Sequence, residues 1–293
     1  MIEVRELTKS FGRNTAVESL SFDACPGSVT GFLGPNGAGK STTLRCLLGL
    51  AAPSAGTALI DGRPYRDLAA PRQRVGALVE GTGAHPARSG RNHLRVIARA
   101  AALPTERIDP LLALVGLTTA ADRRVGTYSL GMRQRLAIAT LLLGDPAIIV
   151  LDEPTNGLDP EGVAWIRDIT RRWADQGRTV LVSSHLLAEV AQVADRVVII
   201  DKGHLVAAGD LSTLARQRAV IRVSDPAAMS ASLEAAGHHA RALPDGAIAV
   251  DDADPSSLIA LATGAGVTIT HLATQTPGEA LEALFLAKTG TLS

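Results

Sequence analysis

The sequence predicts an α/β fold: a mixed, largely parallel sheet core with helical cover, an antiparallel β subdomain before it, a helical subdomain inserted in it, and a small C-terminal α+β domain. Three observations carry this. A short apolar strand over 29–33 runs into a glycine-rich loop and then a helix with apolar positions at Leu44, Leu47, Leu48 and Leu50. Apolar strand runs at 147–151, 179–183 and 197–200 alternate with helical stretches at 162–176 and 186–194, the succession that builds a parallel sheet. After residue 218 the pattern restarts as strand, helix, hairpin, helix, strand and helix, which is the split βαβ order of a ferredoxin-like domain.

The elements follow in order. Residues 2–22 read as short antiparallel strands, with alternation at Leu20 and Phe22 and turn punctuation at Pro26 and Gly27. From about 84 to 143 the pattern is helical, and Pro104 and Pro110 separate its segments. Lys202 and Gly203 turn a final hairpin, and 211–218 reads as a linker. The domains are therefore expected at 1–213 and 219–293, the second with a hairpin turn at Pro244, Asp245 and Gly246.

Composition limits the function. With 46% apolar and 20% charged residues the chain can bury substantial cores, and a net charge of zero gives no bulk reason to expect a nucleic acid as partner. From 219 to 293 there are three basic residues against eight acidic, so the first 218 residues carry the compensating positive charge, suited to a phosphate ligand or merely to an uneven surface. Cys25 and Cys46 lack metal or disulfide spacing and fit a reducing cytoplasm. The N-terminal MIEVRELTKS has no signal-type apolar region, and no run of about 18 apolar residues occurs. The chain is expected to serve a membrane, if at all, from its cytoplasmic face through a partner.

The segment Gly34-Pro35-Asn36-Gly37-Ala38-Gly39-Lys40-Ser41 fits G-x-x-x-x-G-K-[ST] at every fixed position. Glycines let backbone N–H groups turn inward around phosphates, and the following helix presents its positive end to them. Lys40 adds a mobile charge for the terminal phosphates and the Ser41 hydroxyl a ligand for Mg²⁺. The strand at 148–151 ends in Asp152 and Glu153. Two adjacent acids there are costly unless a cation or a proton task retains them: Asp152 would hold Mg²⁺ and Glu153 would act as general base on water. The plain alternative is an acid pair at a helix start.

These motifs, followed in the chain by Tyr128-Ser-Leu-Gly-Met-Arg-Gln-Arg135, LDEPTNGLDP from Leu151 to Pro160, and Val182-Ser-Ser-His185, resemble the nucleotide-binding subunit of ABC transporters over roughly 1–210. The resemblance implies the phosphate-loop ABC cassette fold, with ATP and Mg²⁺ as ligands and Thr42 added to the phosphate-binding set. It places Ser129 and Gly131 in the signature, Asp159 in the D-loop, His185 as the switch histidine, Glu80 in the Q-loop near the metal and Phe11 against adenine. Each has a bland reading as well. Ser129 could be an ordinary N-cap, His185 a structural imidazole, Phe11 a packed strand edge and Glu80 a solvated acid.

The signature reads SLGM where SGGQ is usual, so Leu130 replaces a glycine and Met132 a glutamine, and Glu80 stands for a glutamine. These departures and the trailing domain resemble the exporter branch that includes bacitracin- and daunorubicin-type resistance ATPases, which implies efflux of a hydrophobic compound. One phosphate loop and one signature imply a homodimer sandwiching ATP, docked on integral membrane permease subunits near residues 80–91. The rival reading is a soluble ABC ATPase acting on ribosomes or nucleic acid. Such proteins usually carry paired cassettes or a long coiled-coil insertion, and this sequence has neither.

Overall fold

The computed structural model describes residues 1–79, 83–215, 218–243, 246–251 and 253–289. The chain divides into two units: Met1–Leu186 with Val193–Ala208, and Leu187–Gln192 with Gly209–Ser293.

In the first unit, β1 (Ile2–Phe11), β2 (Asn14–Ala24) and β4 (Ala55–Ile60) form an antiparallel sheet in the order β2-β1-β4. A six-stranded sheet runs β5-β6-β7-β3-β8-β9, from β3 (Ser28–Leu33), β5 (Val75–Leu78), β6 (Ile148–Asp152), β7 (Thr179–Ser184), β8 (Arg196–Asp201) and β9 (His204–Asp210). The pairs β5–β6, β6–β7, β7–β3 and β3–β8 are parallel. Strands buried on both faces require continuous apolar runs, and Ile148, Ile149, Val150 and Leu151 are all buried. Phe22 of β2 stacks on Phe32 of β3 at 5.1 Å, inside the core that also takes Leu44 and Leu47 of α1 (Lys40–Leu47).

Beyond the four-residue α2 (Pro71–Arg74), the inserted helices are α3 (Gly90–Ala100), α4 (Ile108–Leu114) and α5 (Leu130–Leu141), with α6 (Pro160–Asp175) packed against β3 and β7. Their starts follow capping chemistry. Ser89 accepts from the N–H of Asn92, Ser129 from Met132, and Asp159 from Gly162 ahead of Pro160. A second apolar core joins α3, α4 and α5 through Leu94, Leu112 and Leu136.

The second unit opens with α7 (Leu187–Val190), followed by α8 (Leu211–Leu214), β10 (Arg218–Val223), α9 (Pro226–Ala235), β11 (Ala240–Ala242), β12 (Ile248–Asp251), α10 (Pro255–Gly264), β13 (Ile269–Thr274) and α11 (Pro277–Thr289). The antiparallel order β11-β12-β10-β13 is the arrangement a split βαβ produces. Two expectations need correcting. The helix predicted at 186–194 is the single turn α7, and the linker predicted at 211–218 contains α8, whose residues pack against α11. The turn predicted at Pro244 and Asp245 lies outside the described residues.

Candidate functional site

The pairing order β6-β7-β3 brings three carboxyl ends side by side. Leu33 pairs with Ser184 and Asp152 with Ser183, so the residues that follow each strand project from one edge of the sheet, where open α/β sheets take their ligands. Gly34 to Lys40 leave β3, Asp152 and Glu153 end β6, and His185 follows β7.

The loop closes tightly. A Cβ on Gly34 would lie 2.3 Å from the Ile200 carbonyl oxygen and one on Gly39 2.5 Å from that of Ala16, and Gly39 holds φ +105 at the N-cap of α1. Only glycine fits such approaches. The loop amide of Gly34 donates to the Ser184 carbonyl, and the Ala38 carbonyl accepts from Gly203. Lys40 is buried, with 5% of its side chain exposed, and its Nζ donates to the carbonyls of Gly34 (2.6 Å) and Pro35 (3.2 Å).

The same Nζ stands 3.2 Å from Oε1 of Glu153, and the other carboxylate oxygen of Glu153 lies 2.9 Å from Nδ1 of His185. Lys40, more than a hundred residues before Glu153, and His185, 32 residues after it, thus form with it one line of charged and titratable groups. Glu153 itself takes the left-handed conformation, φ 48.

Sequence reasoning gave Ser183 no role of its own. Its buried hydroxyl donates to Oδ1 of Asp152 at 2.5 Å and accepts the Glu153 N–H at 3.0 Å. It ties the acid pair to β7 two residues before His185. The signal was present in the run Ser183-Ser184-His185, but the partners become visible only from the β6–β7 register.

Of the remaining predicted residues, those that the structure describes either flank Lys40 or stand elsewhere in the first unit. Ser129 and Gly131 head α5, Asp159 heads α6, and Phe11 is half exposed at the end of the β1–β2 hairpin with the Lys9 ammonium 4.7 Å from its ring centroid. Among the described residues, neither Ser129 nor Asp159 hydrogen-bonds to Lys40, Glu153 or His185. Pro35, Asn36, Gly37, Ser41 and Thr42 lie on the loop and the first turn of α1, partly or fully open to solvent except where Ala38 is buried. Glu80 lies outside the described residues. Leu130, which replaces a glycine of the usual signature, is 43% exposed, and its Cδ2 would come within 2.8 Å of a Cβ at Gly157. Just before the signature, Tyr128 is buried and donates its hydroxyl to the Ala120 carbonyl at 2.6 Å. Burial pushes its phenol above the usual range.

A glycine loop opening a helix, its lysine against an acid at the end of the next-but-one strand, and a histidine closing the line define a phosphate-loop nucleoside triphosphatase. A family model described as ABC transporter matches residues 17–156. The Nod factor export ATP-binding protein I of Paraburkholderia xenovorans (strain LB400) is 40% identical over 73% of this chain and 72% of its own. The bacitracin transport ATP-binding protein BcrA of Bacillus licheniformis is 39% identical over 70% of this chain and 68% of its own. A solved structure of the ATP-binding subunit of an ABC transporter superposes with a TM-score of 0.67 at 29% identity, covering 73% of this chain and 91% of that one. The chain belongs to the ATP-binding subunits of ABC transporters, and it is an ATPase.

Proposed function

We propose that the chain hydrolyses MgATP at composite sites made with a second copy of itself, and that closure of the pair drives export of a hydrophobic compound through separately encoded permease subunits at the cytoplasmic face of the membrane. The observation that carries the reading is the line Lys40–Glu153–His185 at three adjacent strand ends. Similarity to transport proteins for bacitracin and for Nod factor supports the export direction and a drug or antibiotic as cargo. Among the described residues no helix is long and apolar enough to cross a membrane.

In this reading the phosphates take the inward N–H groups from Gly34 to Thr42, and Lys40 exchanges the carboxylate of Glu153 for the terminal phosphates. Glu153, released from Lys40, orients the attacking water and accepts its proton. His185, already 2.9 Å from Glu153, donates toward the γ-phosphate and offsets the charge that develops there. Phe11 stacks on adenine. The Ser41 hydroxyl and Asp152 are oxygen donors. That suits Mg²⁺, which keeps waters and phosphate oxygens as most of its ligands; when bound, the ion neutralises charge on those phosphates.

Ser129 and Gly131 sit at the amino end of α5, and Asp159 at that of α6, where N–H groups suit an anion. With one phosphate loop and one signature per chain, a second copy supplies the facing half. ATP then favours the closed pair and hydrolysis removes that preference, which is how a ligand shifts a conformational equilibrium. Glu153→Gln should retain ATP, accumulate the dimer on size-exclusion chromatography and cut steady-state turnover by about 10² to 10⁴. Parent-like turnover would remove the general-base assignment.

A further inference from the structure

We propose that Gln134 is a positioning residue for Glu153, acting from the signature helix α5 through the carbonyl of Pro154. This deepens the general-base reading and rests on it. Glu153 holds φ 48, a left-handed conformation that disfavours a residue with a Cβ, so the surrounding groups must hold it there. On its amino side the N–H is bonded to the hydroxyl of Ser183, and its own carbonyl accepts from the N–H of Asn156. Pro154 has no N–H to offer. The next main-chain group that a side chain can grip is the Pro154 carbonyl, and Nε2 of Gln134 donates to it at 2.8 Å from a partly buried position.

Two further contacts show that α5 lies along this loop rather than touching it at one point. Leu130 covers Gly157, which is at φ +72, and its Cδ2 would lie 2.8 Å from a Cβ there. One turn beyond, the guanidinium of Arg135 lies 4.5 Å from the ring centroid of Trp165 on α6, the helix that continues from the loop. The departure at Leu130 therefore adds an intrachain contact where the usual glycine would leave none. The bland account of Gln134 is a solvent-side glutamine that happens to reach a carbonyl. It leaves unexplained why the bond falls on the residue directly after the base, and why the same helix carries Ser129 at its head. Under our proposal α5 links the two: the element that meets the partner's nucleotide also fixes the angle of this chain's own base.

The test compares four variants of the full chain, Gln134→Met, Gln134→Lys, Glu153→Gln and the double variant of the first and third, in steady-state ATPase and ATP-binding assays. Gln134→Met keeps length and helix preference but cannot donate, and Gln134→Lys retains a donor. We expect Gln134→Met to lower kcat about tenfold, the effect of a base moved by a fraction of an ångström, with KM for MgATP and Kd for ATP within about twofold. Gln134→Lys should recover most of the rate. Added to Glu153→Gln, Gln134→Met should leave the residual turnover where it was, since both act through one group. Parent kcat in Gln134→Met would overturn the inference, as would an equal loss in both backgrounds or a loss that follows ATP affinity. Parent-like turnover in Glu153→Gln alone would instead overturn the base assignment and this inference with it. Loss in Glu153→Gln with none in Gln134→Met would remove Gln134 only.

Discussion

Replacing Ser183 with alanine should destabilise the first unit and slow hydrolysis together, because one hydroxyl serves both acids. It makes two bonds, a donation to the Asp152 carboxylate at 2.5 Å and an acceptance from the Glu153 N–H at 3.0 Å. A hydrogen bond to a charged group contributes about 1.5 to 3 kcal/mol, and a backbone N–H left unpaired in a partly buried place costs about 1 more. The sum is about 2.5 to 4 kcal/mol, and at about 3 °C per kcal/mol for a unit of this size the melting temperature should fall by roughly 8 to 12 °C. The assay is a thermal melt of the ATP-free chain beside a steady-state ATPase measurement. Ser183→Thr, which keeps the hydroxyl at the cost of one added methyl, should retain more of the rate than Ser183→Ala. A melting temperature within about 2 °C of the parent, together with an unchanged kcat, would refute the claim that Ser183 holds the acid pair.

Other outcomes follow from the same geometry. Lys40→Ala should lose the rise in melting temperature that ATP produces, while its ATP-free melt falls by only a few degrees, since Lys40 also pins the Gly34 and Pro35 carbonyls; a retained ATP-induced shift would count against it. His93 is buried in α3 with both ring nitrogens unbonded, and burial, aided by Arg88, pushes its pKa below the usual value. The unfolded chain therefore takes up this proton first, so stability from His93 is complete above about pH 6.5 and drains as the pH falls through that value toward the lowered folded one. His93→Leu should flatten that limb of a plot of melting temperature against pH, and an unchanged slope would exclude His93 as its source. In the second unit, a Cβ on Gly278 would lie 2.7 Å from Cα of Ala188. Gly278→Val should force α11 off α7, destabilise that unit by about 1 to 3 kcal/mol and speed proteolysis near α7, and a parent-like digest would contradict that packing.

The parts of the site that the sequence made legible are contiguous ones. Gly34 to Ser41 need only each other and a flanking strand and helix, and Asp152 and Glu153 need only the apolar run before them. The ferredoxin-like order of the C-terminal sheet was legible because each strand and helix keeps its own period and because Asp225–Pro226 and Asp254–Pro255 mark two helix starts. What stayed hidden depends on partners distant in sequence. Ser183 matters through the β6–β7 register, Gln134 through a helix lying on a loop, and the Lys40–Glu153 pair through strand order. The strands β4 and β5, AGTALI and VGAL, are short and glycine-bearing and carry too few alternating residues to stand out. The α7 segment has a helical composition but only one turn, and α8 reads as linker because its packing partner α11 comes more than sixty residues later.

The central claim, that the phosphate loop and the acid pair converge on one magnesium-bound triphosphate, is tested most directly by a crystal structure of the Glu153→Gln chain with ATP and Mg²⁺. The account predicts Lys40 on the terminal phosphates, the ion between those phosphates, Ser41 and Asp152, and the signature of a second copy closing over the nucleotide. A triphosphate bound away from Gly34 to Ser41, or an ion with neither Ser41 nor Asp152 near it, would contradict the account.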